Sequence, residues 1–511
     1  MMKLTESSAK GYSTHWQTCL LNLPLWVWAI VTIGVLLRIR QFLCGRSLWN
    51  DEAELALNIL HRTFGGLLRP LDYHQGAPIG FLLMEKLATV PLGKSELALR
   101  AIPFVAGIAA LFLFYDVAKQ YLIPGAVPLA LSLFALSKSV VYYSSEAKQY
   151  STDVLCTLIL LGAVFRLSRP TLSQRELLGI GALGVLMIWV SHPASFMLSG
   201  AAVSLLVVNL ARRRQQEFSR MFWVFAAWAV SFGICYVVSL RSLSHDNSLL
   251  GYWEGNLAPH RSSLFVSWVS NSFFAAFENP APLNSILGAA FFVAGCAQLL
   301  RRDKLRLSFL IAPLLALLLA SLLHRYPLYG RLLSFLCPIL LLVVSEGAIW
   351  AFNVARRLSP ALGIVLIVLL LAKPAYLAVN ALVHPIRPED IKIAIRYIQS
   401  HQQPGERWYA YYGAKYQLSY YAEVDNLPMA NVYIGADCGT DAACYAEDLG
   451  GFRGSRRLWV LLSHILPHDD TDEGMVLSDQ LDRLGTRVTA VDKTGVKVYL
   501  CDLSPASTST K

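Results

Sequence analysis

About eleven apolar runs, most of them 16–20 residues long, fill the first three quarters of this 511-residue chain. They lie near 23–40, 99–118, 123–142, 151–168, 177–195, 196–211, 221–240, 284–300, 307–323, 332–350 and 360–380. A helix needs roughly 20 such residues to cross the hydrocarbon core of a bilayer. No soluble core has room for them all: the chain is 55% hydrophobic and 15% charged, where a soluble domain carries roughly 25% charge. The pattern predicts a polytopic α-helical membrane protein. Only the turn Ser191-His192-Pro193 separates the fifth run from the sixth.

The first twenty residues are polar, with Lys3 and Lys10, and the run that follows, Leu23 to Leu37, has no small-residue cleavage site. It reads as a retained first span with a cytoplasmic N-terminus. The loops after every second span then hold Lys119; Arg166, Arg169 and Arg175; Arg212, Arg213 and Arg214; Arg301, Arg302, Lys304 and Arg306; and Arg356 and Arg357. Such clusters mark cytoplasmic loops. An odd number of spans then places the C-terminal part outside. The formal net charge of +10 comes mainly from these clusters. No basic stripe interleaves with aromatics on a polar surface, which argues against a nucleic-acid partner.

Two outer loops are long, 41–98 and 241–283. The apolar stretch Ile79 to Val90 in the first is too short to span and reads as an interfacial or re-entrant helix. The second carries Tyr252, Trp253, Phe273, Phe274 and Phe277, suited to the membrane interface. Composition changes at about Val383, where Pro385 and Pro388 break the pattern. Helices are predicted over 389–400, 414–422 and 473–484, and strands over 407–412, 458–462, 486–492 and 495–501. The expected division is a transmembrane domain over 1–382 with its outer loops, a small α/β domain over 383–503 and a disordered tail over 504–511. Cys438 and Cys444 lie close together in the polar part: a disulfide-closed loop in an oxidising compartment is one reading, two unrelated thiols the other.

Five polar groups from distant parts of the chain fall on the outer face. The densest is Trp49-Asn50-Asp51-Glu52-Ala53-Glu54. Asn50 can cap a helix with Asp51 and Glu52 in its first turn. The same crowding suits a transfer reaction, with one carboxylate accepting a proton and another orienting the acceptor. Second is the turn at His74, Gln75, Gly76 and Pro78. Third is Glu146-Ala147-Lys148-Gln149-Tyr150, where Glu146 and Tyr150 share a helix face and Lys148 either meets a phosphate or snorkels. Fourth is His192. Fifth is His324-Arg325-Tyr326 to Gly330-Arg331, two arginines on the side expected to be poor in them, whose guanidinium forks match phosphate oxygens. No zinc spacing, nucleotide-cradling loop or dinucleotide turn appears.

These residues resemble the lipid-dependent membrane glycosyltransferases of the GT-C fold, nearest the bacterial RgtA/B/C/D-like group related to protein mannosyltransferases and lipid A aminoarabinose transferases. The landmarks are Asp51-Glu52-Ala53, the loop 74-HQGAPIGFLL-83, the segment 95-SELALR-100, 146-EAKQY-150 and 325-RYPLYGRLLSFLCP-338. The resemblance implies a polyprenyl-phosphate-linked sugar as donor and a site on the periplasmic face. It makes Asp51 the base or acceptor-orienting group, assisted by Glu52, and assigns the donor phosphate to Lys148, with Arg325 and Arg331 as further candidates. Glu54, His74, Gln75, Glu146, Tyr150 and His192 are the expected substrate contacts. Two departures stand out: Gln75 lies where an acidic residue is expected, and Lys148 replaces the commoner arginine, losing its bidentate fork.

The expected activity is transfer of a sugar from that lipid donor to a periplasmic glycan, lipid or protein, by an enzyme of the bacterial inner membrane. No cofactor is implied, and dependence on a divalent cation is left open. A polytopic transporter or lipid flippase is the alternative, but it would place charges near the midplane in two related halves. A non-catalytic assembly protein is a second one.

Overall fold

A computed structural model describes residues 23–168, 172–211, 215–259, 262–465, 467–468 and 471–504. The N-terminal Lys3 and Lys10, Arg169, the Arg212–Arg214 cluster and the tail from residue 505 lie outside the described residues. By contacts the chain divides into two units. One comprises residues up to Phe42, Pro103–Ser145 and Gln149–His384; the other comprises Leu43–Ile102, Glu146–Lys148 and the chain from Pro385 onward. The first outer loop, placed with the transmembrane domain on sequence grounds, thus clusters with the C-terminal segment.

The first unit is helical at all eleven expected positions. Seven helices among the described residues are long and apolar enough to cross a membrane: Leu25–Phe42, Ala101–Tyr121, Tyr150–Leu167, Ser219–Leu243, Lys304–Leu322, Gly330–Leu358 and Pro360–Val383. The four others are shorter or more polar: Pro124–Leu136 and Ala194–Leu210, Gln174–Val190, and Ser285–Arg302, which ends in two arginines. Many of their apolar side chains face outward, among them Trp223, Ile286 and Val293. Such an exterior requires lipid as solvent, so the chain is a multi-pass membrane protein.

Small residues let these helices touch. A Cβ on Gly295 would lie 2.0 Å from the Val343 carbonyl oxygen, and one on Gly347 would lie 1.9 Å from that of Phe291. The helices Ser285–Arg302 and Cys337–Leu358 therefore meet backbone to backbone. At one end of this pair the Glu346 carboxylate accepts from Arg302 and, at 3.1 Å, from the Ile123 amide.

The second unit is built on a five-stranded sheet. In chain order the strands are β1 (Arg407–Ala410), β2 (Val432–Ile434), β3 (Leu458–Ser463), β4 (Pro467–His468), β5 (Thr471–Asp472), β6 (Thr486–Lys493) and β7 (Val496–Asp502). The sheet order is β2-β1-β3-β7-β6, while β4 and β5 form a separate two-stranded hairpin. β1 runs parallel to both β2 and β3, and β7 is antiparallel to its neighbours. Helices Ile391–His401, Lys415–Val424 and Glu473–Leu484 fall where the sequence predicts them. Strand β2 and the helix Ala442–Asp448 were not foreseen. Cys438 and Cys444 are joined by a disulfide.

Every residue of β3 is buried, and its side chains alternate between two cores, as strand geometry demands. Leu458, Val460 and Leu462 join a core with Tyr409, Tyr411 and Leu481. Trp459 and Leu461 join the other, which also holds Leu48, Leu55, Ile59 and Phe81 of the first outer loop. The helices Asn50–His61 and Ile79–Leu92 thus share one hydrophobic core with the sheet, and that sharing fixes the acidic group in place.

The helix Ile79–Leu92 turns Leu82, Glu85 and Thr89 inward, a spacing of one stripe on a helix. Glu85 is fully buried, and neither carboxyl oxygen has a hydrogen-bond partner among the described residues. Burial raises its pKa well above the ordinary carboxylate value. A raised native pKa makes the wild type lose stability as pH climbs from the unfolded value through the native one. Glu85→Leu should therefore gain about 1–3 kcal/mol at neutral pH and abolish that pH slope. Thermal unfolding of the purified full chain across pH checks both.

Candidate functional site

The helix Asn50–His61 starts one residue earlier than a cap at Asn50 requires: Trp49 holds the N-cap position and Asn50 is the first helical residue. The reason is Glu52, whose carboxylate reaches back to accept from the Trp49 amide at 3.0 Å. Asn50 is then free to donate through its side chain to Glu54, at 3.0 Å one turn on.

Glu52 is wholly buried. Arg46 donates to it at 2.6 Å, Arg100 contacts both oxygens at 2.9 and 3.0 Å, and the Ala147 amide donates at 2.8 Å. Arg100 also holds the Arg46 and Ser47 carbonyls. One carboxylate thereby ties together the Asp51-Glu52-Ala53 motif, the end of 95-SELALR-100 and the middle of 146-EAK-148. Burial pushes its pKa up, but Arg100, Arg46 and the donated hydrogen bonds outweigh it and hold the group at about 2. A carboxylate so saturated is permanently charged and suited to holding its neighbours in position.

Glu54, two residues further on, is buried too, but its environment is opposite in sign. Burial and the neighbouring Asp51 charge raise its pKa to about 7, against the pull of Lys148 and His464. The Gln75 amide donates to Glu54, and the Gln75 carbonyl accepts from the Lys148 ammonium at 2.5 Å. Gln75 thus bridges a carboxylate and a buried lysine, two of the sequence's separate constellations. Tyr73 and His74 just before it adopt φ of 64° and 52°. Left-handed backbone at two non-glycine residues costs energy, and here it delivers Gln75 to Glu54. Asp51 is half-buried, while His74 is exposed.

The sequence missed two members of this group. Glu389 accepts from the Trp49 indole at 3.0 Å and from Gln417, whose amide also holds the Leu48 carbonyl at 3.0 Å. Glu389 in turn bonds His464 Nδ1 at 2.8 Å. Burial lowers the His464 pKa, but Glu389, Asp51 and Glu54 outweigh it and raise the value above the ordinary one. His464 follows the last residue of β3, where parallel strands carry ligand sites in many α/β sheets. That position was the available signal.

Tyr150, His192, Arg325 and Arg331 belong to the first unit. Tyr150 is buried with its ring edge-on to Tyr143. Nε2 of His192 has no hydrogen-bond partner among the described residues. Arg325 is exposed, and the Arg331 guanidinium lies 5.7 Å from the centre of the Trp253 ring. Glu146 is buried in the second unit beside Lys148. Among the described residues no group of three or more His, Cys, Asp or Glu is arranged to hold a metal ion.

No protein-family model and no curated protein matches the sequence. Solved structures do match. ArnT from Cupriavidus metallidurans bound to undecaprenyl phosphate aligns with a TM-score of 0.56 at 11% identity, over 93% of this chain and 98% of that one. The same protein in the apo state gives 0.54 at 12%, over 96% and 98%. The Archaeoglobus fulgidus oligosaccharyltransferase in complex with Zn and sulfate gives 0.51 at 12%, over 94% and 74%. At such identities the likeness is one of architecture. The chain has the GT-C fold, as the motifs predicted.

Breaking the Arg46–Glu52–Arg100 cluster strands two buried cations. Glu52→Gln should cost about 3–5 kcal/mol, read as a lowered thermal midpoint of the full chain in detergent. Asp51→Asn should not lower it. Equal midpoints for Glu52→Gln and wild type would contradict the role given to Glu52.

Proposed function

We propose that the protein is a membrane glycosyltransferase that moves a sugar from a polyprenyl-phosphate donor to an acceptor on the periplasmic side of the inner membrane. The observation that carries this reading is the pairing of Asp51 and Glu54 beside Lys148, on a helix anchored by Glu52, within a GT-C fold. ArnT, whose architecture is similar, has been crystallised with undecaprenyl phosphate. That supports a lipid phosphate as the donor's leaving group.

In the proposed reaction the acceptor's oxygen or nitrogen attacks the anomeric carbon as the bond from that carbon to the lipid phosphate breaks. The acceptor's proton passes to the Asp51–Glu54 pair. The electron pair of the broken bond leaves with the lipid phosphate. Lys148 offers a positive charge to that phosphate as it departs, exchanging its contact with Gln75 for the ligand. Glu146 and His74 of the same unit are candidates for sugar or acceptor contacts. One displacement inverts the anomeric carbon. Glu52 does not take the proton, since its oxygens are engaged by six N–H donors; it sets the helix that presents Asp51.

Burial and the Asp51 charge raise the Glu54 pKa to about 7. Proton acceptance needs the ionised form, so the rate should rise with pH through about 7. The test uses the full chain reconstituted in bilayers with a panel of undecaprenyl-phosphate-linked sugars. Wild type should release undecaprenyl phosphate and transfer the sugar. Asp51→Asn should fold normally and lose about 100-fold or more in rate. Lipid movement across the bilayer with no bond cleavage would favour a flippase and overturn the proposal.

A further inference from the structure

The C-terminal segment brings a cation to the carboxylates. His464 sits in the left-handed region, φ 56°, directly after β3. Its Nδ1 is held by Glu389 at 2.8 Å, and Glu389 is itself fixed by the Trp49 indole and by Gln417. Gln417 accepts from Ser463 at 2.7 Å, which locks the turn that carries His464. The His464 ring also packs edge-on against Trp49, centroids 5.8 Å apart. Trp49 caps the helix on which Asp51 and Glu54 lie, and the charges of both carboxylates act on His464. Three side chains, Glu389, Gln417 and Ser463, thus hold one imidazole where the charges of Asp51 and Glu54 act on it.

We propose that His464, anchored by Glu389, is a positioning residue of the site: it holds a positive charge against Asp51 and Glu54 and governs how that pair takes up the acceptor's proton. The inference rests on the transferase reading above. It makes the α/β segment a working part of the enzyme and not merely a cover for it. The charged and titratable groups that face these residues are Glu389, Asp51 and Glu54 around His464, and Asp51, Lys148, His464 and the Tyr416 hydroxyl around Glu54. Removing the imidazolium leaves Asp51 and Glu54 repelling each other with Lys148 alone to offset them, so the pair should hold its proton to higher pH. The carboxyl of Glu389, which draws the imidazole toward its charged form, should act in the same direction when removed.

The test is the pH dependence of kcat/KM for full-length wild type, His464→Gln, His464→Lys and Glu389→Gln in bilayers, with undecaprenyl-phosphate-linked sugar as donor. At about pH 6 the His464→Gln variant should lose about tenfold or more, and at about pH 8.5 it should regain most of the wild-type rate, because the acidic limb has moved upward. Glu389→Gln should move the limb the same way, and His464→Lys should restore it toward wild type. A loss of equal size at every pH would mark His464 as a structural prop and overturn the proposal, as would an unshifted profile. Absence of transfer by wild type at any pH would instead bring down the functional reading, and this inference with it.

Discussion

The second unit depends on a carboxylate with no access to water. Glu52 is caged by Arg46, Arg100 and two backbone amides, and three segments far apart in sequence meet at its two oxygens. Burying three charges is costly, and the cost is met only because nearly every donor finds an acceptor. What the cluster supplies is position. It fixes the start of the helix Asn50–His61, and with it the direction in which Asp51 and Glu54 project. A flexible loop carrying the same acids would give neither a fixed distance between them nor a defined proton affinity.

Adjacent acids therefore have opposite fates. Glu52, saturated by cations, stays charged to about pH 2, while Glu54, buried next to Asp51, is tuned to about 7. Both differ from an ordinary carboxyl by reason of burial, and the sign is decided by what burial brings close. Separating a structural charge from a titrating one within three residues is a way to keep a fold intact while a proton moves beside it.

Much of this was legible in the sequence. Apolar runs gave the helices, because lipid burial leaves a signal that depends on composition alone. The outer segments were legible as motifs, since Asp51-Glu52, His74-Gln75 and Glu146-Ala147-Lys148 stand out against apolar surroundings. Their division of labour was not. Whether Asp51 or Glu52 faces inward depends on where the helix starts, and Trp49, not Asn50, holds the cap. The partners Arg46 and Arg100 lie 6 and 48 residues from Glu52, at separations that no local pattern encodes. His464 was invisible for a similar reason: it reaches the site only because β3 packs its Trp459 face against the core that holds Leu55 and Ile59.

The account turns on the claim that Glu54, not Glu52, is the glutamate that exchanges a proton near neutrality. Carbon-13 NMR titration of glutamate carboxyls in the full chain, with Glu54→Gln and Glu52→Gln spectra for assignment, measures this directly. The resonance lost in Glu54→Gln should titrate at about 7, and the resonance lost in Glu52→Gln should remain that of an ionised carboxylate to about pH 2. A Glu54 carboxyl that titrates at the ordinary value near 4.5, or a Glu52 that protonates before it, would contradict the account.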